Sequence, residues 1–313
     1  MPSFLVTGGA GFIGSHIATA LVRRGDLVRV LDNLSTGHQD NLREIRDDIE
    51  FVKGDVADPS SVAAAVKGMD CIYHQAALAS VPMSLERPMD TNRVCVTGTV
   101  NVLDQARQAG VRRVIYAASS SVYGDVPTSP KRESDRMMPL SPYAAAKAAG
   151  ELYCQSFYHS FGLETVGLRY FNVFGPRQDP NSPYSAVIPI FMTRMLKGSP
   201  PVVHGDGHQT RDFTYVENVV HGNLLAAEAA EAPGQIMNVA NGVSISLLQL
   251  IEQLNRLLGL DVQPRHDEAR VGDVLDSSAD ISQARKILGY QPTVGFEDGL
   301  RHSIDYYRGL VAR

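Results

Sequence analysis

Three residues in the middle of the chain have the types and spacing of a proton-transfer site. Ser119 begins the run Ser119-Ser120-Ser121 directly after an apolar stretch, and Tyr143 stands four residues before Lys147. A spacing of four on a helix places two side chains on the same face. A lysine ammonium favours the phenolate and so lowers the pKa of the tyrosine, while a serine hydroxyl orients a substrate. The sequence therefore predicts an enzyme in which Tyr143 acts as a base.

A glycine-rich turn near the N-terminus predicts a dinucleotide site. Gly8, Gly11 and Gly14 form the pattern G-x-x-G-x-x-G between an apolar run at 4–6 and a helical stretch. Such glycines permit a tight turn, close approach of the backbone to a pyrophosphate, and close packing of helix on strand. Asp32 follows Gly14 by 18 residues. A carboxylate there accepts from the ribose hydroxyls of NAD and repels the 2′-phosphate of NADP, which favours NAD.

A triphosphate-binding P-loop is the alternative for this turn. Gly9 and Gly14 have its glycine spacing, but Ser15 and His16 stand where that motif needs lysine and then serine or threonine. A kinase or ATPase is therefore excluded.

Asp55, in the Gly54-Asp55-Val56 stretch, has two open interpretations, because it either meets the adenine amino group or forms an ordinary turn.

The elements that must position these residues alternate between short apolar runs and longer stretches with helical periodicity. Strands are predicted at 4–6, 27–31, 51–52, 71–74, 114–117 and 165–168. Helices are predicted at 13–24, 59–66 and 91–109. This alternation predicts an α/β fold with a Rossmann-type, doubly wound parallel sheet covered on both faces, and ligands at the carboxyl ends of its strands.

The second half of the chain has a different character. A stretch rich in Pro, Gly, Asp and Asn begins at Gly175, and helices predicted at 188–196 and 247–258 follow with poorer strands between them. We therefore expect a cofactor domain at 1–174 and a smaller C-terminal α/β lobe at 175–313 that binds the substrate.

Composition excludes several classes of protein. The 313 residues carry a net charge of −5, which gives no basic excess for nucleic-acid binding. Three cysteines without a close pair encode no disulfide framework, and the pair His204 and His208 lacks the carboxylates of a metal site, so no metal is expected. The chain shows neither a membrane-spanning run nor a signal peptide, so we expect a cytoplasmic protein.

These segments resemble the extended short-chain dehydrogenase/reductase family, and within it the UDP-hexose 4-epimerases. The likeness covers nearly the whole chain and rests on 7–14, 31–37, 119–124, 143–147, 169–175, 211–213 and 272–273, while 74–82 and 177–180 look most like the subgroup acting on UDP-N-acetylhexosamines. The resemblance implies that Tyr143, helped by Ser119, takes the proton of the sugar's 4-hydroxyl while NAD⁺ accepts the C4 hydride. The 4-keto sugar then turns and receives the hydride on its other face, so NAD must be retained between turnovers.

The resemblance also implies the contacts of both ligands. NAD contacts are expected at Gly8, Gly11, Phe12, Ile13, Gly14, Asp32, Asn33, Ser35, Thr36, Gly37, Asp55, Val56, Gln75, Ala76, Ala77, Asn92, Tyr143, Lys147 and Tyr170. UDP-sugar contacts are expected at Ser80, Ser119, Ser120, Ser121, Tyr143, Asn172, Ala186, Val187, His204, Arg211, Arg270, Asp273 and Ser277. Asn172, Arg211 and Arg270 would hold the diphosphate and uridine, a role that suits guanidinium groups. His204 either covers the uracil or is a solvated loop histidine.

The residues after Ser119 favour epimerisation over related reactions. Sugar-nucleotide dehydratases of this family carry Asp-Glu at the positions of Ser120 and Ser121, and decarboxylases carry Glu at the position of Ser121. Hydroxyls cannot replace a carboxylate as general acid or base. A dehydratase, a reductase with net redox, and a non-catalytic NAD-binding sensor remain the alternatives.

Substrate breadth depends on Ser277. The family places a residue here beside C2 of the sugar, where tyrosine restricts the site. A serine leaves room for an N-acetyl group, so UDP-GlcNAc and UDP-GalNAc are expected alongside UDP-Glc and UDP-Gal. The alternative, that Ser277 is a loop serine and other residues close the pocket, stays open.

The family pattern implies two further features of the architecture. Helices at 91–109 and 143–161 would pair across a homodimer as a four-helix bundle. The segment 213–239 would return from the second lobe to the cofactor domain.

Overall fold

The strands form one large parallel sheet and several small ones. The computed structural model describes residues 1–180, 186–268 and 276–312. In chain order the strands are β1 (Ser3–Thr7), β2 (Leu27–Asp32), β3 (Ile49–Lys53), β4 (Cys71–His74), β5 (Arg113–Ser119), β6 (Glu164–Tyr170), β7 (Val173–Phe174), β8 (Val202–His204), β9 (Thr210–Asp212), β10 (Thr214–Tyr215), β11 (Ile236–Val239), β12 (Ser244–Ser246), β13 (Arg265–Asp267) and β14 (Asp276–Ser277). The large sheet has the order β11-β6-β5-β4-β1-β2-β3. The predicted doubly wound sheet is confirmed, and each of the six predicted strands lies within an observed one.

Helices connect these strands and cover both faces of the sheet. They are α1 (Phe12–Arg24), α2 (Pro59–Val66), α3 (Val81–Glu86), α4 (Pro88–Asn92), α5 (Gly98–Gln108), α6 (Pro142–Phe161), α7 (Val187–Leu196), α8 (Val216–Glu228), α9 (Leu247–Leu258), α10 (Ser282–Leu288) and α11 (Phe296–Val311). Short 3₁₀ segments occupy Gln39–Asp48 and Ser120–Tyr123. None of the helices in the described ranges has the length and apolar character that crossing a bilayer requires.

One predicted helix differs from the expectation of a regular α-helix at 91–109. The π-helical turn Arg93–Thr97 separates α4 from α5 within one continuous helical stretch. A π turn adds a residue to the helical turn, so the side chains before it rotate relative to those after it. Asn92, immediately before this turn, is exposed.

The core of the large sheet follows the alternation of its strands. Leu5, Ile72 and Val114 are fully buried on one face, with α2, α5 and α6. Their neighbours Val6 and Ile115 are fully buried on the other face, with α1 and α8. Because successive side chains point to opposite faces, strands covered on both sides are apolar throughout. This explains why the apolar runs were readable in the sequence.

The second half of the chain builds its own core. Phe174 lies at its centre, and Phe213 stacks on Phe296 with ring centres 5.6 Å apart. The chain also returns to the large sheet, where β11 pairs in parallel with β6 at its edge. The division into domains at 1–174 and 175–313 stays a prediction.

Candidate active site

A cavity of about 1270 Å³ opens at the carboxyl ends of the parallel strands. Most of the residues expected from the sequence line it. They are Gly8, Gly11, Phe12, Ile13, Gly14, Asp32, Asn33, Ser35, Thr36, Gly37, Asp55, Val56, Gln75, Ala76, Ala77, Ser80, Ser119, Ser120, Ser121, Tyr143, Lys147, Tyr170, Asn172, Ala186, Arg211 and Ser277. Their roles stay predictions, but the fold brings them to one place.

The glycine-rich turn leaves no room for side chains, because it passes close to the segment that follows β4. Gly8 has a φ of +68°, and a Cβ there would lie 2.7 Å from the backbone of Ala76. A Cβ on Gly14 would lie 2.3 Å from the carbonyl oxygen of Gly8. The bare backbone at the start of α1 thus forms a cradle whose N–H groups suit a pyrophosphate.

Asp32 is held at the end of β2 by backbone amides. Its Oδ2 accepts from Ala10 N at 2.9 Å and its Oδ1 from Leu34 N at 2.8 Å, and the residue is 7% exposed. Each carboxylate oxygen can accept more than one hydrogen bond. The carboxylate therefore keeps acceptor capacity in the wall of the cavity, as binding the ribose hydroxyls of NAD requires.

Asp55 lies in the same wall and is engaged with a cation. Its carboxylate accepts from Arg93 Nη1 at 2.9 Å and from Ala57 N at 2.9 Å. Burial opposes ionisation, but these hydrogen bonds and the charge of Arg93 together hold the pKa of Asp55 below its usual value. The choice between an adenine contact and a turn residue stays open.

A buried, neutral histidine holds the residue that precedes the glycine-rich turn. His74 is buried between Thr7, at 2.7 Å from its Nδ1, and Thr99, at 3.0 Å from its Nε2. Thr99 already donates to the carbonyl of Cys95, so Nε2 carries the proton and Nδ1 accepts from Thr7. Burial lowers the pKa of His74 to about 3, which keeps the ring neutral. This chain of bonds fixes Thr7 immediately before the glycine-rich turn.

The predicted catalytic residues come together from β5 and α6. Ser119 ends β5, and its Oγ accepts from the hydroxyl of Ser121 at 2.9 Å. Tyr143 and Lys147 lie in the first turns of α6, which begins at the Ser141 cap. Lys147 Nζ donates to the carbonyl of Ala117 at 2.8 Å and lies 5.9 Å from the ring centre of Tyr143. The spacing of four residues thus places phenol and ammonium on one helix face.

The expected lowering of the tyrosine pKa is not found in the chain alone. Burial raises the pKa of Tyr143 above its usual value, and a hydrogen bond with Ser119 opposes this only in part. Burial likewise lowers the pKa of Lys147, although the charge of Glu151 raises it. The physical reason is that the phenol is buried, while the Lys147 ammonium donates to the carbonyl of Ala117.

Further residues of the cavity wall come from the chain after β6. Asn172, with a φ of +31°, donates to Ser277 Oγ at 3.4 Å. Ser277 lies in β14, in register with Arg211 of the neighbouring β9. They line the same cavity as Ser119 and Tyr143, although the segments that carry them are far apart in the sequence.

Other expected residues lie elsewhere. Asn92 and Val187 do not line the cavity, since the π turn leaves Asn92 exposed and Val187 begins α7. The His204 ring lies 3.1 Å from the carbonyl of Glu268, at the β8–β13 pair outside the cavity wall. Arg270 and Asp273 lie outside the described residues.

Lys131 and Arg177 also line the cavity. Neither was expected as a site residue, although Arg177 begins the segment 177–180 that carries part of the family resemblance. Lys131 is 5% exposed and its Nζ donates to the carbonyl of Val126. Arg177 reaches from the second half of the chain to Thr19 of α1. Both are cations in a cavity suited to anionic ligands. Within the described residues, no group of three or more His, Cys, Asp or Glu side chains is placed to hold a metal.

Comparisons with known proteins extend over nearly the whole chain. The model of the NAD dependent epimerase/dehydratase family matches residues 4–240. A UDP-glucose 4-epimerase from Mycolicibacterium smegmatis is 38% identical over 309 residues, which cover 97% of this chain and 98% of that relative. The solved structure of a UDP-N-acetylglucosamine 4-epimerase from Methanobrevibacter ruminantium M1, in complex with UDP-N-acetylmuramic acid, is 40% identical with a TM-score of 0.95 and covers 99% of both chains. The complex of a Thermus thermophilus UDP-glucose 4-epimerase with NAD is 37% identical with a TM-score of 0.89, covering 98% of this chain and 99% of that one.

Proposed function

Because this chain belongs to the NAD dependent epimerase/dehydratase family, we propose that it is an isomerase that inverts C4 of UDP-hexoses. Its cofactor is NAD, and the bare glycine turn and Asp32 fit that group. The substrates we propose are UDP-GlcNAc and UDP-GalNAc together with UDP-Glc and UDP-Gal. Relatives of both kinds support this breadth.

The observation that carries the proposal is the hydroxyl cluster beside Tyr143. Ser119, Ser120 and Ser121 line the cavity at the end of β5, and the Ser119 and Ser121 side chains bind each other. Elimination of water from the sugar needs a carboxylic acid and a general base at this position. A serine hydroxyl does not have a pKa suited to either role. Proton exchange at a single hydroxyl needs only the phenol. The cluster therefore favours epimerisation over dehydration.

The chain's own residues would act on the 4-hydroxyl and on the diphosphate. Tyr143 takes the proton of the 4-hydroxyl and later returns it, while Ser119 orients that oxygen. NAD, held by the glycine-rich turn and Asp32, would supply the hydride acceptor for C4, and its positive ring would favour the phenolate of Tyr143. Arg211 and Asn172 hold the diphosphate, so the sugar turns about a fixed anchor.

The reaction is tested by incubating the purified protein with each UDP-sugar and separating the epimers by chromatography. We expect both members of a pair to form from either one, with unchanged mass and without accumulation of NADH. A product lighter by one water indicates a dehydratase, and accumulation of NADH indicates a dehydrogenase. Either outcome contradicts the proposal.

Substrate breadth is tested by Ser277→Tyr. We expect its kcat/KM for UDP-GlcNAc to fall at least about tenfold more than that for UDP-Glc, because the ring fills the space beside the N-acetyl group. Ser277→Ala keeps the volume open and is the matched control, expected to leave the ratio of the two sugars within about twofold. Equal losses for both sugars in Ser277→Tyr would show that other residues set the breadth.

We also propose that the chain forms a homodimer through α6 and the helices beside it. Leu152 and Tyr153 of α6 are 56% and 41% exposed, and Leu85 and Met89 of α3 and α4 are 63% and 77% exposed. α3 and α4 pack against α6, so these side chains border the same helix. Clustered exposed apolar side chains are typical of an interface. Sedimentation velocity gives a dimer mass if the proposal is correct and a monomer mass if it is not.

A further inference from the structure

Arg177 joins the segment 175–179, here called the strap, to the elements around the glycine-rich turn. Its Nη1 donates to Thr19 Oγ1 of α1 at 3.1 Å, and its Nη2 lies 3.9 Å from the carboxylate of Glu44. The side chain is only 15% exposed, whereas Glu44 is 63% exposed. The guanidinium therefore lies between α1 and the 3₁₀ segment Gln39–Asp48.

The strap has further attachments on both sides. His16 of α1 lies 3.0 Å from the carbonyl of Pro176 through its Nε2. Burial lowers the pKa of His16 to about 4, so the ring is neutral and donates through Nε2. On the other side, the Tyr307 hydroxyl of α11 lies 3.0 Å from the carbonyl of Gly175 and 3.2 Å from that of Gln178. The strap thus bridges the substrate half of the chain and the first helix of the cofactor half.

The elements that Arg177 contacts are the ones that shape the glycine-rich turn. Asn41 donates through Nδ2 to the carbonyl of Ala10 at 2.9 Å, and His38 N donates to the same carbonyl at 3.0 Å. Arg177 itself adopts a φ of +68°, a conformation that costs a non-glycine residue free energy. A residue held there against its preference is fixed by the contacts of its side chain and its neighbours.

We propose that Arg177 is a cofactor-retention residue that holds the strap against α1 and so slows the release of NAD. The inference rests on the proposed function, because an enzyme without net redox must keep the same NAD through many turnovers. Without the guanidinium, the strap loses its contacts to Thr19 and Glu44, and the cavity wall opens beside the glycine-rich turn.

Charge supports the same conclusion. Four cations of the described residues line the cavity: Lys131, Lys147, Arg177 and Arg211. Lys147 is bound to the carbonyl of Ala117 and Arg211 lies in β9, whereas Arg177 contacts α1. Arg177 thus brings a positive charge to the cavity wall next to α1, the helix that begins at the glycine-rich turn, where it favours an anionic ligand.

The test measures NAD release rather than sugar turnover. Purified Arg177→Met is mixed with ethanol and a large excess of alcohol dehydrogenase, which converts released NAD to NADH and reports the dissociation rate by absorbance. We expect this rate to rise at least tenfold. Arg23→Met is the matched control, since Arg23 also faces Glu44, at 3.7 Å, but is 74% exposed, and we expect no change in it.

A second variant keeps the test decisive if Arg177→Met does not fold. Thr19→Val removes the hydroxyl that accepts from Arg177 and keeps the side-chain shape, and we expect a smaller increase in the same direction. A folded Arg177→Met with an unchanged dissociation rate overturns the proposal, as does an unchanged rate in Thr19→Val when the first variant is unfolded. Because no sugar is present, this outcome is independent of whether the chain is an epimerase.

Discussion

Replacing Tyr143 with phenylalanine is expected to lower kcat for C4 epimerisation by about 10²- to 10⁴-fold, the usual contribution of a general base. Phenylalanine keeps the ring that packs in the first turn of α6 and removes only the oxygen that exchanges the proton. Epimer formation is measured by chromatography, and the NAD content and thermal unfolding of the variant are measured beside it. Both are expected to match the unmodified protein, since the contact that the hydroxyl gives up is its hydrogen bond with Ser119.

The matched control is Tyr153→Phe, because Tyr153 lies on the same helix and is 41% exposed. It is expected to leave kcat unchanged. The pH profile adds a second readout for the unmodified protein. Burial raises the pKa of Tyr143, so the protonated phenol predominates at low pH and kcat is expected to rise with pH as the proton is lost. A Tyr143→Phe variant that retains full turnover would remove Tyr143 from the role of base.

The parts of the site that were readable in the sequence are those fixed within one element. Gly8, Gly11 and Gly14 lie in a single turn, and Tyr143 and Lys147 lie on a single helix face, so spacing alone determines their relative positions. The large sheet was readable for a similar reason, because strands buried on both faces are continuously apolar.

The missed parts depend on contacts between distant segments. The bond from Arg177 to Thr19 spans 158 residues, and the backbone of Lys131 is fixed by a hydrogen bond from its N–H to the carbonyl of Ser278. No local pattern encodes such a meeting. The pKa of Tyr143 could not be predicted from spacing either, since it depends on how deeply the phenol is buried.

Near the proposed catalytic residues Tyr143 and Lys147, a buried ion pair connects α6 to β6. Glu151, one turn after Lys147, receives two hydrogen bonds from Arg169, from Nε at 3.0 Å and from Nη2 at 2.7 Å. Glu151 and Arg169 are 2% and 4% exposed. The guanidinium also lies 4.7 Å from the ring centre of Tyr123. The pair is therefore desolvated, well oriented and packed against the segment that follows Ser119.

Glu151→Gln is expected to lower the free energy of unfolding by about 3–5 kcal/mol, because it leaves the Arg169 charge buried without its counter-ion. Urea unfolding measures this loss. Glu50→Gln is the control, since Glu50 is 60% exposed in its pair with Arg29 and its loss is expected to cost about 0–1 kcal/mol. Replacing both partners with methionine is expected to recover much of the loss, because removing both charges removes the desolvation cost as well. Equal effects of Glu151→Gln and Glu50→Gln would show that water reaches Arg169.

The charge of Glu151 also raises the pKa of Lys147. Burial already lowers the pKa of Lys147, and the same substitution is expected to lower it further. The pair therefore links the stability of α6 to the charge of the lysine that we propose to assist Tyr143.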